Sequence, residues 1–323
     1  MSRGQRGTRL RGLVAGLVLA LATAPATAAD PVATSGESSR THLDTRSGMA
    51  IYGSFREGLA NPSCPAGASE RWQAHFASAP DQLATDPDES LALFGYVVDA
   101  VRAAHLPTEY ALIPFVESGY RANARSPSGP AGLWQMIKIT ARNHKVPIRA
   151  GYDGRLSPVD STRAAVRYLK TLHGMFAGDW RLAAMAYNAG EYRVLGALRR
   201  SGQQARDVDL DALQGVPRIT RSYVAKIQAL TCVMLEAGEA HAWQAAMELP
   251  VPRLHEVELP GDVTRLREWA ARHEQDAATL RRLNPVYVDG RVARPDGQPA
   301  RLLAAAPARS TVPPAGGAAG GSR

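Results

Sequence analysis

The chain has 323 residues, a formal net charge of +8, 45% hydrophobic and 21% charged residues, and two cysteines. That length allows one medium domain and a smaller one. The basic excess comes without a basic run interleaved with aromatics, which sets nucleic-acid binding aside, and two cysteines with no Cys-x-x-Cys pair offer no metal spacing.

In chain order, Arg3, Arg6, Arg9 and Arg11 precede an apolar run at residues 13–22, and Ala26-Thr27-Ala28 offers a small-residue cleavage site. Residues 1–28 are expected to be a cleavable secretory signal, with an apolar run too short to span a membrane. Cleavage takes four arginines and no acid, so the formal charge falls from +8 to +4. No cysteine directly follows the run, at the expected cleavage site, so no lipid attachment is expected. No later stretch is long and apolar enough to form a transmembrane segment, and the mature chain is expected to be soluble outside the cytoplasm. In an oxidising compartment Cys64 and Cys232 can form a disulfide or remain separate thiols; the sequence leaves both open.

Residues 29–48, rich in Ser, Thr, Ala and Pro, read as a linker. Residues 49–107 read as a helical N-terminal extension, with Leu91, Phe94, Val97, Val98 and Val101 at helical spacing before His105-Leu106-Pro107 breaks the run. Residues 108–249 read as one helical domain. Ala165, Leu169, Leu172 and Phe176 share a face, Asp179 caps a short helix ending at Gly190, and Tyr223, Ile227, Leu230 and Met234 form a stripe. No two-residue alternation is sustained there, so the fold class is mainly α. Residues 250–305 change character: a short strand and turn at 255–263, helical segments near 264–273 and 276–282, and a last strand at 301–303 make a small α+β segment. From 306 to 323 the tail is too poor in large apolar residues to fold.

Three blocks carry chemistry. Glu117 follows Leu112, Ile113, Phe115 and Val116 and precedes Ser118-Gly119, so it is placed at the C-terminal end of a buried helix, whose last turn Pro114 is expected to kink. Desolvation and the negative end of the helix dipole both raise a carboxyl pKa. A Glu held protonated near neutral pH is what protonating a glycosidic oxygen requires. A perturbed but purely structural carboxyl stands beside that reading. The loop Ser126-Pro127-Ser128-Gly129-Pro130-Ala131-Gly132, built of small residues and turn formers, lets a polysaccharide pass close to the backbone. Gln135, expected at the start of the next helix, brings an amide that donates and accepts, or is a solvated surface residue. Tyr187 and Asn188 lie at the end of a short helix beside Gly190, and Tyr223 on the following amphipathic helix is most economically a core residue with a bonded hydroxyl.

Glu117-Ser118, the loop from Ser126 to Met136, Gly178-Asp179-Trp180 and the block 186–193, in this order, resemble the lytic transglycosylases with a soluble-lytic-transglycosylase domain, which share the goose-type lysozyme fold. Leu106-Pro107-Thr108-Glu109 and Tyr223-Val224 resemble the membrane-bound lytic transglycosylase D type within that family. The resemblance implies a lysozyme-like helical catalytic domain acting on periplasmic peptidoglycan glycan strands. Glu117 would be the sole acid/base and Ser126, Gln135, Tyr187, Asn188 and Tyr223 would line the cleft, with no metal or organic cofactor. The implied reaction cleaves the MurNAc-β-1,4-GlcNAc bond without water and closes a 1,6-anhydro ring. Pro130 and Lys138 depart from the family's pattern without removing a functional group. A hydrolytic muramidase, with Asp153, Asp179 or Glu191 as the second carboxylate, and a non-catalytic peptidoglycan-binding protein are the alternatives. Residues 255–304 resemble a degenerate LysM-like segment, which implies glycan binding; a small packing module with solvated arginines is the other reading.

Overall fold

The computed structural model describes residues 43–294 and 299–307. The signal at 1–28, residues 29–42 of the linker and the tail from 308 lie outside the described residues.

Strand β1 (Thr45–Ser47) leads into helices α1 (Gly48–Glu57), α2 (Glu70–Phe76), α3 (Ala79–Thr85) and α4 (Ala92–Ala103). A 3-10 segment, Thr108–Leu112, runs into α5 (Ile113–Ser118). Next come α6 (Lys138–Asn143), a small hairpin of β2 (Ile148–Arg149) and β3 (Tyr152–Asp153), then α7 (Pro158–Met175), α8 (Trp180–Ala189), α9 (Glu191–Arg200), α10 (Arg218–Glu239) and α11 (His241–Met247). Strands β4 (Pro250–Pro252) and β5 (Leu254–Glu258), helices α12 (Leu266–Arg272) and α13 (Ala277–Leu283), and strand β6 (Arg301–Ala305) complete the described chain. The fold is mainly α, as the periodicity indicates.

The sequence explains the helix ends. Ser157 accepts from Asp160 N–H at 3.2 Å, and Pro158 opens α7 where its missing N–H costs nothing. Asp179 accepts from the N–H groups of Arg181 and Leu182 and starts α8, and Gly190, at φ 89°, ends it. The long α10 buries its Tyr223, Ile227, Leu230 and Met234 stripe in the larger core, which also holds Phe55, Phe94, Val97, Leu169 and Leu182. Each such buried Leu or Phe contributes about 1.5–3 kcal/mol before conformational entropy is counted. Residues from α1 and α4 share this core with α7, α8 and α10, so segments 49–107 and 108–249 are built around one interior.

A second core joins Leu259, Val263, Leu266, Trp269, Leu280 and Leu302 of the C-terminal segment to Ala131, Tyr152 and Leu156 of the preceding region. There β5 pairs antiparallel with β6, from Leu254 against Ala305 to Glu258 against Arg301, around α12 and α13. The strand–helix–helix–strand order follows the sequence reading.

Four expectations need correction. Residues 45–48 are not linker: Thr45 pairs with Pro252 and Ser47 with Pro250, and Ser47 caps α1 by accepting from Ala50 N–H. The fold reaches beyond 305, because Asp44 N–H donates to Ala306 O and Leu43 bridges to Pro307. Pro114 lies in the first turn of α5, not the last, because the preceding residues wind as a tighter 3-10 segment; its missing N–H is free of cost there. Gln135 precedes α6 by three residues in a non-helical turn at φ 44°.

Candidate active site

Glu117 stands half-buried one residue before the end of α5. Gly119, at φ 61°, takes the left-handed conformation that ends the helix and donates its N–H back to Phe115 O. The Ser118 hydroxyl donates to Pro114 O and to Leu133 O at 2.8 Å, tying the helix end to the 126–136 loop. From α10, the Tyr223 hydroxyl donates to Glu117 Oε1 at 2.7 Å. Burial pushes the Glu117 carboxyl above its ordinary range, and the Tyr223 hydrogen bond and the Lys226 charge oppose this without cancelling it. Burial, followed by the Glu117 charge, holds the Tyr187 and Tyr223 hydroxyls well above the ordinary phenol range, so both are proton donors.

The loop is held from beneath by Arg155. Its buried guanidinium donates to Gly129 O at 2.8 Å and Met136 O at 3.0 Å, and to Asp153 at 2.9 and 2.7 Å. Gly132 permits this approach: at φ 81°, a Cβ there would lie 1.6 Å from Arg155 O. Trp134 is fully buried and donates its indole N–H to Thr162 Oγ1 at 2.9 Å. The Tyr187 hydroxyl donates to Trp134 O at 2.8 Å, so the end of α8 is fastened beside Gln135.

The structure therefore brings Glu117 and Tyr223 into contact and fastens Tyr187 to the loop carrying Gln135. The Gln135 amide folds back, donating to Gly132 O at 2.9 Å and Ala124 O at 3.3 Å. Asn188 is exposed at the end of α8. Ser126 bonds Ser128 Oγ at 2.8 Å within the loop turn. The three carboxylates considered as a second catalytic acid are engaged elsewhere. Asp153 pairs with Arg155, Asp179 caps the far end of α8 and pairs with Arg181, and Glu191 accepts from the Tyr168 hydroxyl at 2.9 Å. Burial alone would raise the Asp153 carboxyl, but the Arg155 hydrogen bonds and charge outweigh it and leave it below the usual range. Sequence reasoning missed Arg155 and Lys226, since neither lies in a recognisable block.

Residues 98–210 match the family described as "Transglycosylase SLT domain". Over that segment the chain is similar to the SLT family. The matched segment contains Glu117, the loop and the end of α8, while Tyr223 lies beyond it. Over 139 residues the chain is 36% identical to "Membrane-bound lytic murein transglycosylase D" of Escherichia coli K12, covering 43% of this chain and 30% of that protein. Over 103 residues it is 46% identical to a "Putative tributyltin chloride resistance protein" of Alteromonas sp., covering 32% of this chain and 50% of that one. Over 83 residues it is 39% identical to "Peptidoglycan transglycosylase gp16" of Escherichia phage T7, covering 25% of this chain and 6% of that protein. The chain thus spans half or less of the length of these relatives.

Among the described residues no helix is long and apolar enough to cross a membrane, and no cluster of His, Cys, Asp or Glu has the geometry of a metal site.

Proposed function

We propose that this protein is a peptidoglycan lytic transglycosylase that cleaves the MurNAc-β-1,4-GlcNAc bond with Glu117 as its sole acid/base. The observation that carries the reading is the half-buried Glu117, bonded to Tyr223 at the C-terminal end of α5, in the segment that matches the SLT family. Its raised proton affinity suits the first step, in which the carboxyl gives its proton to the glycosidic oxygen as the bond from that oxygen to C1 of the muramic acid breaks. The N-acetylglucosamine leaves as the alcohol. The C6 hydroxyl oxygen of the same muramic acid then bonds to C1, and its proton returns to Glu117. Proton and charge balance without water, and the attack is intramolecular, so no second carboxylate is required. The engagement of Asp153, Asp179 and Glu191 in other contacts supports this over hydrolysis.

Tyr223, as donor, steadies the ionised Glu117 between the two halves of the reaction. Gln135, Tyr187, Asn188 and Ser126 are proposed to line the glycan cleft. The substrate places the working enzyme in the periplasm, reached through cleavage near residue 28, so mature protein beginning near Ala29 should fractionate with soluble periplasmic contents. Recovery from salt-washed membranes with the N-terminal arginines intact would show retention as an anchor. Product mass spectrometry on purified peptidoglycan tests the reaction: 1,6-anhydro ends are expected. Reducing ends, heavier by one water, would make it a hydrolase, and an absence of cleavage would leave a binding protein.

A further inference from the structure

Helix α2 packs along α10, and Trp72 is the residue through which it meets a charge. The Lys226 ammonium lies 4.6 Å from the Trp72 ring centroid, a cation–π distance. Lys226 is half-buried and forms no ion pair among the described residues. It follows Tyr223 by three residues on α10, so the two side chains share a helix face. Tyr223 touches Glu117 at 2.7 Å. The charge on this face is therefore close to Tyr223, which bonds the acid, and an indole from the N-terminal segment sits under it.

We propose that Trp72 seats the Lys226 ammonium where its charge stabilises the ionised form of Glu117, which makes Lys226 a positioning residue and the N-terminal helices a working part of the site. The inference rests on the reading of Glu117 as acid/base. In that reading the carboxylate exists only between the two proton transfers, and it must be formed in a partly desolvated place. A cation held nearby without direct pairing lowers the cost of that state yet leaves the carboxylate free to take its proton back. An ion pair in contact would hold the proton off too strongly.

The other groups on these surfaces are few. Tyr223 and Tyr187 face Glu117 from α10 and α8, and both stay neutral. On α2, Arg71 lies 4.9 Å from the same Trp72 ring and His75 meets its edge at 5.4 Å. Arg71 and His75 are both exposed on α2. Neither replaces Lys226, because neither lies on the helix that carries Tyr223. The Cys64–Cys232 disulfide fixes the chain ahead of α2 to α10, six residues beyond Lys226, so the seat is covalently secured.

The experiment follows the Glu117 carboxyl directly. Full-length mature protein with the disulfide intact is labelled with carbon-13 at the Glu side-chain carboxyls, and the Glu117 signal is assigned by its loss in E117Q. Its titration midpoint is expected to move to higher pH in K226M and to stay near the wild-type value in K226R. W72L should move it in the same direction by a smaller amount, while W72F, which keeps an aromatic face, should leave it in place. An unchanged midpoint in folded K226M overturns the proposal. A shift in K226M with none in W72L overturns the role of the seat. This measurement does not depend on turnover, so a failure to find anhydro products would count against the proposed reaction and leave this test standing.

Discussion

At Glu117 the two demands on the residue pull apart. Burial makes it a stronger proton holder than a solvated Glu, and this is a cost to the fold once the carboxyl ionises. Because the folded-state pKa is raised, the stabilising contribution is complete below the unfolded value and is lost as pH rises through the folded one. E117Q keeps the shape and accepts the Tyr223 hydrogen bond but never ionises. It should therefore melt higher than wild type at neutral and alkaline pH, with the difference vanishing in acid; thermal melts across pH check the sign. The same variant should lose at least about 100-fold in turnover on purified peptidoglycan with its circular dichroism unchanged. Retained turnover would sink the single-acid assignment. Y223F removes a donor to a carboxylate, and a fall of about tenfold in kcat/KM is expected, with the alkaline limb of the pH profile moving upward. Conversely, a Y223F profile identical to wild type would show that the hydroxyl bears on packing alone.

At the scale of elements, the 126–136 loop and the two helix ends beside it make the site. The Gly132 approach to Arg155 leaves no room for a side chain, so G132A should destabilise the protein and reduce activity together, a loss of about 1–3 kcal/mol measured by urea unfolding. R155M should loosen the loop, because Gly129 O and Met136 O lose their donor, and protease nicking between 126 and 136 is the readout. Much of the helical scaffold was legible. The stripes at Leu91 to Val101 and at Tyr223 to Met234 are core, Asp179 and Gly190 bound α8, and Glu117 lies in the last turn of its helix, which a glycine in the left-handed conformation ends. These follow from periodicity and capping, which act over a few residues. What stayed hidden acts over long separations or depends on the tertiary fold. The Tyr223–Glu117 bond spans 106 positions, and the Arg155 contacts are to carbonyls that carry no sequence signature. Pro114 was misplaced for a related reason, since only the preceding 3-10 segment determines which turn of α5 it enters.

Across the whole molecule, the C-terminal βααβ segment is joined to the rest by more than a linker. Tyr152 and Leu156 belong to its core, Arg282 reaches Glu89 at 2.6 Å, Arg163 meets Glu256 at 2.6 Å, and Arg301 faces Asp160 of α7 at 3.9 Å. A chain truncated after Leu249 also loses β4, the partner of β1. Such a truncation should melt lower and expose apolar surface to a dye probe, which favours the brace. A truncated protein that melts as wild type but pellets less with insoluble peptidoglycan would instead favour glycan binding by this segment. At the other end of the described chain, Cys64 and Cys232 are bonded with their Cα atoms 5.0 Å apart, which resolves the question the sequence left open. Across a separation of 168 residues, reduction should cost about 2–5 kcal/mol, read as a lower denaturant midpoint in dithiothreitol.

That bond has a consequence for biogenesis. The chain has two cysteines, so oxidation offers a single intramolecular pairing and no scrambled isomer to be edited. Cys64 leaves the ribosome long before Cys232 and must wait as a thiol until helix α10 has been made. During that interval its available errors are mixed disulfides with other molecules or with a second copy of the chain. Maturation thus calls for an oxidant and not for a disulfide-shuffling catalyst, and covalent dimers are the expected mark of oxidation that outruns the folding of α10.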